Sequence, residues 1–196
     1  MEVLRFQRRI GITMAEAKSI RAFEGEHRWL SNFWIAPIEL SAFQQRWVFA
    51  STENVFQMAK LEHTRLDIAD QQELFEEVAA LETPGQSKRF GRRIPELAVD
   101  SWNAARDRAM ARTLMAKFTQ HADLREKLLG LEGYYLEEGN HWGDRYWGVD
   151  GTGKNRLGEL LMELRDRWLA KRAESPDWQP PYFVPEYSFE KIGGRA

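Results

Sequence analysis

The chain has 196 residues, enough for one domain with its own hydrophobic core. Its 28 Lys and Arg against 30 Asp and Glu give a net charge of -2, which excludes a protein that grips nucleic acid mainly through bulk positive charge and leaves local basic patches open. Zero cysteines exclude disulfides, thiolate catalysis and cysteine-ligated metals, and the lack of a long apolar run or apolar leader predicts a soluble, cytoplasmic protein.

Residues 1–18 are charged and weakly patterned and read as an N-terminal extension. Over 19–33, apolar and aromatic residues flank a Glu-Gly-Glu-His-Arg-Trp-Leu-Ser-Asn-Phe segment, which predicts a strand running into a polar turn. Pro37 and the alternation over 38–49 predict a β-hairpin whose turn at 42–45 lacks the usual Asn-Gly pair.

Ser51 or Thr52 is placed to cap a helix beginning at Glu53. There Glu53, Gln57 and Lys60 fall at i, i+4 and i+7 and share one face, with Val55, Met58, Ala59 and Leu61 mostly elsewhere. If solvated, this stripe of acid, amide and amine is an ordinary surface. If it faces a cleft, Glu53 in the first turn gains from the helix dipole and stays ionised, ready to accept a proton or steady a cation.

Residues 64–81 predict one or two surface helices, and Thr83-Pro84-Gly85 breaks that segment. Lys88, Arg89, Arg92 and Arg93 then crowd into six residues, either to hold a phosphate or as a solvated basic face on a short helix. Asp100 or Ser101 is expected to cap a longer helix through Phe118. Trp102, in its first turn, suits packing beneath a hairpin as well as packing against a bound base. A helix over 122–131, ended by Gly133, and a strand over 134–138 follow.

Residues 138–156 depart furthest from a core-building sequence, with five glycines and two tryptophans in nineteen residues, a composition suited to a surface loop holding a planar ligand. The loop runs into an amphipathic helix over 155–172, marked by Leu157, Leu160, Leu161, Leu164 and Trp168. Backbone N–H groups at that junction favour an anion, and Gly151 and Gly153 allow close backbone approach; Asn155 equally suits a plain N-cap role. Residues 173–196 hold four of the seven prolines and Gly193-Gly194, and read as a tail lying extended over the surface or disordered.

No Ser-His-Asp spacing, His-Glu-x-x-His or Walker loop occurs, and His27, His63, His121 and His141 are scattered, so triad and metal catalysis are weak options and neither metal nor cofactor is expected. What remains is carboxylates, one aligned lysine, asparagines and an excess of tryptophan. Cleaving a glycosidic bond needs little more: two carboxylates, or a carboxylate with an amine nucleophile, stabilise an oxocarbenium-like centre while aromatic rings hold a base.

An ordered set of segments closely resembles the NADAR, or YbiA-like, family from about Phe23 to Leu169. These are Leu30-Ser-Asn-Phe, Ser51-Thr-Glu-Asn-Val-Phe-Gln-Met-Ala-Lys, Pro84-Gly-Gln-Ser-Lys-Arg-Phe-Gly-Arg, Trp102, Ala116-Lys-Phe, Gly139-Asn-His-Trp-Gly-Asp-Arg-Tyr-Trp-Gly and Gly153-Lys-Asn-Arg-Leu-Gly-Glu-Leu-Leu-Met-Glu-Leu-Arg. The resemblance implies one compact α+β, mostly helical domain over 19–172 with a small β-sheet. It also implies N-glycosidase activity on ribosylated bases, either ribosylamino-pyrimidine phosphates of riboflavin biosynthesis or ADP-ribose attached to guanine in nucleic acid.

Carried over by motif, Glu53, Trp102, Asp144 and Trp147 match functional positions of the family, and Lys60 matches a lysine able to attack the ribose anomeric carbon and form a Schiff base. Asn54 stands where the family usually has a histidine, so no imidazole role carries over there. Residues and resemblance together assign Glu53, Lys60 and Asp144 to catalysis. Trp102, Trp142 and Trp147 are expected to clamp the base, and Asn155 and Arg156, with Lys88 or Arg89, to take the phosphate. Asn32, Gln57, Gly139, Asn140 and Gly143 complete the expected binding set. The expected partner is a small ribosylated base or ADP-ribosylated nucleic acid as substrate, with no membrane. A rival reading is a non-catalytic module that binds ADP-ribose or an NAD metabolite, for which Glu53 and Lys60 would not matter. In a third, the tryptophans are core and the loop mere connection.

Overall fold

The computed structural model describes residues 18–189; the expected N-terminal extension up to residue 17, and residues 190–196 of the tail with Gly193-Gly194, lie outside them. In chain order the described elements are β1 (Ser19–Ile20), β2 (Ile35–Ala42), β3 (Gln45–Ser51), α1 (Thr52–Met58), α2 (Ile68–Ala79), α3 (Pro84–Phe90), α4 (Val99–Gln120), α5 (Ala122–Leu129), β4 (Tyr135–Leu136), α6 (Arg156–Glu174) and β5 (Glu186–Tyr187). Turns of 3₁₀ helix occupy Gly25–Leu30 and Ala59–His63. This is the α+β, mostly helical class expected. The described residues group into two units, one from 18–31 and 122–180, the other from 32–121 and 181–189.

The second unit is built on the expected hairpin. Ala36, Ile38, Leu40 and Ala42 alternate inward on β2, and Ala42 pairs with Gln45, leaving a two-residue turn of Phe43 and Gln44. Both adopt positive φ, 49° and 59°, the left-handed pair that such a turn requires and that Asn-Gly usually supplies. Pro37 lies inside β2 where the register shifts between Ile35 and Ile38, so its missing N–H falls at an irregularity of the ladder.

Residues 181–189 belong to the tail expected to lie extended over the surface or disordered. They do run extended, but β5 pairs in parallel with β2 as a third strand, Tyr187 and Phe189 are buried, and the Phe189 ring stacks on Phe43 at 4.8 Å. Phe75 of α2 presents its ring edge-on to Phe43, Trp47, Phe49 and Phe189, closing an aromatic nest under the turn.

Two helix starts also differ from expectation. Thr83-Pro84-Gly85 opens α3 as well as ending the segment before it: Thr83 and Gln86 form a reciprocal capping box with Pro84 in the first turn. The cap position of α4 is Ala98, not Asp100 or Ser101. Asp100 lies within the first turn, and the Ser101 hydroxyl is bonded to His63 Nδ1 at 2.8 Å.

In the first unit the strand expected to run into a polar turn over 19–33 is the short β1, which pairs in parallel with β4 (Ser19 with Tyr135, Ile20 with Leu136). The expected turn is the 3₁₀ helix of Gly25–Leu30, whose last two residues, Trp29 and Leu30, are both buried. The buried stripe of α6 is the one its spacing predicts. Arg165 on α6, fully buried, donates to the carbonyls of Leu131 and Tyr134 at 2.7 and 2.8 Å and so fixes the turn from α5 into β4. Among the described residues no helix is long and apolar enough to cross a membrane.

Candidate functional site

In the second unit, the site is built from the start of α1. The Ser51 hydroxyl accepts the Asn54 N–H and donates to Asn54 Oδ1 at 2.6 Å, while Asn54 Nδ2 donates to the Leu81 carbonyl at 2.8 Å. Asn54 is therefore a fixing post for the first turn. Beside it, the Glu53 N–H donates to the Asn32 carbonyl at 3.2 Å, and one turn on Gln57 Nε2 donates to Glu53 Oε1 at 2.7 Å. Glu53 and Gln57 are each 6% exposed, so the polar stripe is not a solvated surface.

The backbone changes from α to 3₁₀ helix at Ala59, yet Lys60 stays with the cluster. Its Nζ donates to the Gly91 carbonyl at 3.0 Å and lies 5.8 Å from the Trp102 ring centroid. Burial lowers the Lys60 pKa below its usual 10.5; Glu53 opposes that shift and Arg92 adds to it. The net direction favours the neutral amine that a nucleophile requires.

Trp102, 7% exposed, packs against Phe56 at 5.1 Å and His63 at 5.6 Å between ring centroids. It is a wall of the cluster, with little face left for stacking. Asn32 is buried as well. Its Nδ2 reaches Met110 Sδ at 3.4 Å, and its Oδ1 has no hydrogen-bond partner among the described residues. Lys88, in the last turn of α3, holds its ammonium 5.4 Å over the ring of exposed Phe33. Arg89 in α3 and Arg92 and Arg93 just after it are exposed, and Arg92 also acts on Lys60.

In the first unit, the loop over 138–156 is tied to itself. Asn140 Oδ1 accepts the N–H groups of Trp142 and Asp144, and its Nδ2 donates to the Asp144 carbonyl at 2.8 Å. Asp144 Oδ1 in turn accepts the N–H groups of Tyr146 and Trp147 at 3.1 and 2.9 Å. Gly143 donates to Asp150 Oδ2, and Gly139 donates to the Arg21 carbonyl. Trp142 is 55% exposed with its ring edge to His141, whereas Trp147 is half-buried against Tyr146. The close approach expected at Gly153 is to the chain itself: a Cβ there would lie 2.2 Å from the Gly148 carbonyl oxygen.

The helix start expected to hold a phosphate is closed at its first two N–H groups. Arg156 donates to the Tyr146 carbonyl at 3.1 Å and Leu157 to that of Trp147 at 3.0 Å. Asn155, fully buried and in the left-handed region at φ 53°, holds the expected N-cap position, but its side chain makes no cap hydrogen bond. Its side chain donates to the Leu136 carbonyl and the Tyr135 hydroxyl and accepts from the Glu138 N–H. The Arg156 guanidinium is bonded to Glu159. Both residues therefore fix the loop to the helix. Among the described residues, no group of three His, Asp or Glu is placed to hold a metal ion.

Sequence reasoning missed Gly91 and His63, and placed Arg92 only in the basic cluster and not beside Lys60. The histidine is legible only once the 3₁₀ turn is known, because i and i+3 eclipse there and align His63 with Lys60.

Residues 20–169 match the NADAR domain family. The chain is 36% identical over 139 residues to N-glycosidase YbiA of Escherichia coli, covering 70% of this chain and 79% of that one, and equally so to its namesake in Shigella flexneri. It is 30% identical over 144 residues to a riboflavin biosynthesis protein of Vibrio vulnificus, covering 71% of this chain and 35% of that one. The fold is similar to the NMR structure of Escherichia coli YbiA, with a TM-score of 0.65, 29% identity, and coverage of 88% and 94% of the two chains. The chain belongs to the NADAR domain family.

Proposed function

We propose that this chain is a hydrolase of N-glycosyl bonds that cleaves between a ribose, carried as ribose phosphate or ADP-ribose, and a nitrogen base. The observation that carries this reading is the Glu53–Gln57–Lys60 cluster: a buried carboxylate oriented by an amide, beside an amine whose pKa burial lowers. The neutral Lys60 amine attacks the anomeric carbon as the bond to the base breaks. The base leaves with the electron pair and takes up the proton that the alkylated lysine nitrogen gives up, and Glu53 steadies the positive charge at the ribose. Water then adds to the anomeric carbon, its hydroxyl staying on the sugar and its other proton returning to the lysine as the amine is released. Asp144, with Oδ1 committed to two loop N–H groups, sets the position of Trp147.

Two substrate classes suit this chemistry. The names of relatives in riboflavin biosynthesis support ribosylamino-pyrimidine phosphates. The exposed arginines after α3 support ADP-ribose on guanine in a polynucleotide, whose phosphates they would meet.

The test is to incubate the purified protein separately with ADP-ribosylated guanine DNA and with ribosylamino-pyrimidine phosphate, and to look for released sugar by mass spectrometry. One substrate should turn over. Glu53→Gln and Lys60→Ala should each lower turnover on the order of 10²–10⁴-fold while the thermal melt stays close to wild type. Full activity in both variants overturns the assignment. Tight binding of ADP-ribose with no release from either substrate supports the non-catalytic module instead.

A further inference from the structure

Gly91 directly follows α3 and touches two members of the cluster. Its carbonyl oxygen accepts the Lys60 ammonium or amine at 3.0 Å. Its Cα faces the Gln57 amide so closely that a Cβ at this position would lie 1.7 Å from Gln57 Oε1, 2.5 Å from Cδ and 3.1 Å from Cγ. Backbone conformation does not explain a glycine here, since φ -62° and ψ -14° suit any residue. Space does.

The Gln57 amide has two ends. Nε2 donates to the Glu53 carboxylate at 2.7 Å, the orientation an acceptor-only partner demands. Oε1 is buried with no hydrogen-bond donor among the described residues. The amide is therefore oriented on one side by Glu53 and on the other by packing on the bare Cα of Gly91.

We propose that Gly91 is a positioning residue of the cluster: its carbonyl holds the Lys60 amine, and its missing side chain seats Gln57 so that Gln57 orients Glu53. This rests on the reading of Glu53 and Lys60 as the reacting groups. A methyl group at position 91 displaces the Gln57 amide and releases the Glu53 carboxylate, while the backbone acceptor of Lys60 remains.

The test is a double-mutant cycle of Gly91→Ala and Gln57→Ala, read as kcat and KM on whichever substrate the wild-type protein turns over, with thermal melts of all four proteins. Gly91→Ala alone should lower kcat roughly tenfold to a hundredfold, the range of one hydrogen bond to a charged group, with KM little changed. In the Gln57→Ala background the same substitution should cost less than about twofold, because the side chain it strikes is gone. Should Gly91→Ala fail to fold, the double variant must regain the melt of Gln57→Ala. An equal loss of kcat with and without Gln57, no loss at all, or a double variant that also fails to fold overturns the proposal. Glu53→Gln and Lys60→Ala separate the two levels: if they retain full activity the function is misread, whereas if they abolish it and Gly91→Ala is silent, this inference alone fails.

Discussion

Lys60 carries the chemistry most sensitive to its surroundings. Burial and Arg92 push its pKa down, Glu53 pulls it up, and the net value lies below 10.5. Activity that needs the neutral amine should climb with pH in the window below 10.5. Arg92→Ala removes a cation that favours deprotonation, so the rise in kcat/KM should move to higher pH; an unshifted profile would show that Arg92 does not act on the reacting amine. Stability follows the same direction. The folded state loses the proton more readily than the unfolded one, so a penalty for charged Lys60 is present at low pH and fades as pH climbs from the folded pKa towards 10.5. Urea melts across that window should show the gain, and Lys60→Met should flatten it. The pairing of Glu53 with Gln57 was legible from their i, i+4 spacing. Lys60 was reached by the same α-helical count although the helix tightens at Ala59, because two residues at about 120° rather than 100° each shift its direction by only about 40°.

At the level of elements, the junction of loop and α6 shows what spacing alone does not reveal. Asn155 suits an N-cap by composition, but its left-handed backbone turns the side chain away from the helix and into three hydrogen bonds with residues 135–138. Removing those bonds at about 1 kcal/mol each, with about 1 kcal/mol more for alanine in that conformation, should make Asn155→Ala lose roughly 3–4 kcal/mol in chemical denaturation. Asn155→Gly should lose less, since glycine tolerates the backbone; the reverse order would overturn this account. The hairpin was readable from alternation. Its turn was not, because Phe43 and Gln44 accept a backbone shape that their own preferences disfavour, and the aromatic rings packed around Phe43 offset that cost. The cap of α4 escaped notice for a similar reason: Ala98 offers no side-chain acceptor, so no local residue marks the start.

For the whole chain, the order of the helices was legible from periodicity and the α+β class was what the family resemblance implied, whereas the grouping into two discontinuous units was not legible, because it depends on pairings such as β1 with β4 across more than a hundred residues. The prolines of the tail suggested looseness; the better signal was the alternation of buried Tyr187 and Phe189 with exposed neighbours. Truncation after residue 180 removes β5 and both buried rings. At roughly 1.5–3 kcal/mol for each buried aromatic side chain, it should lower the stability of the second unit by about 3–6 kcal/mol in guanidinium unfolding, and an unmoved midpoint would show that the strand is decorative.

That third strand has a consequence for biosynthesis. Residues 181–189 emerge 60 positions after His121, where the rest of their unit is complete. At 5–20 residues per second this is a delay of roughly 3–12 s, during which Phe43 and Phe75 of the nascent polypeptide lack the Phe189 ring that covers them.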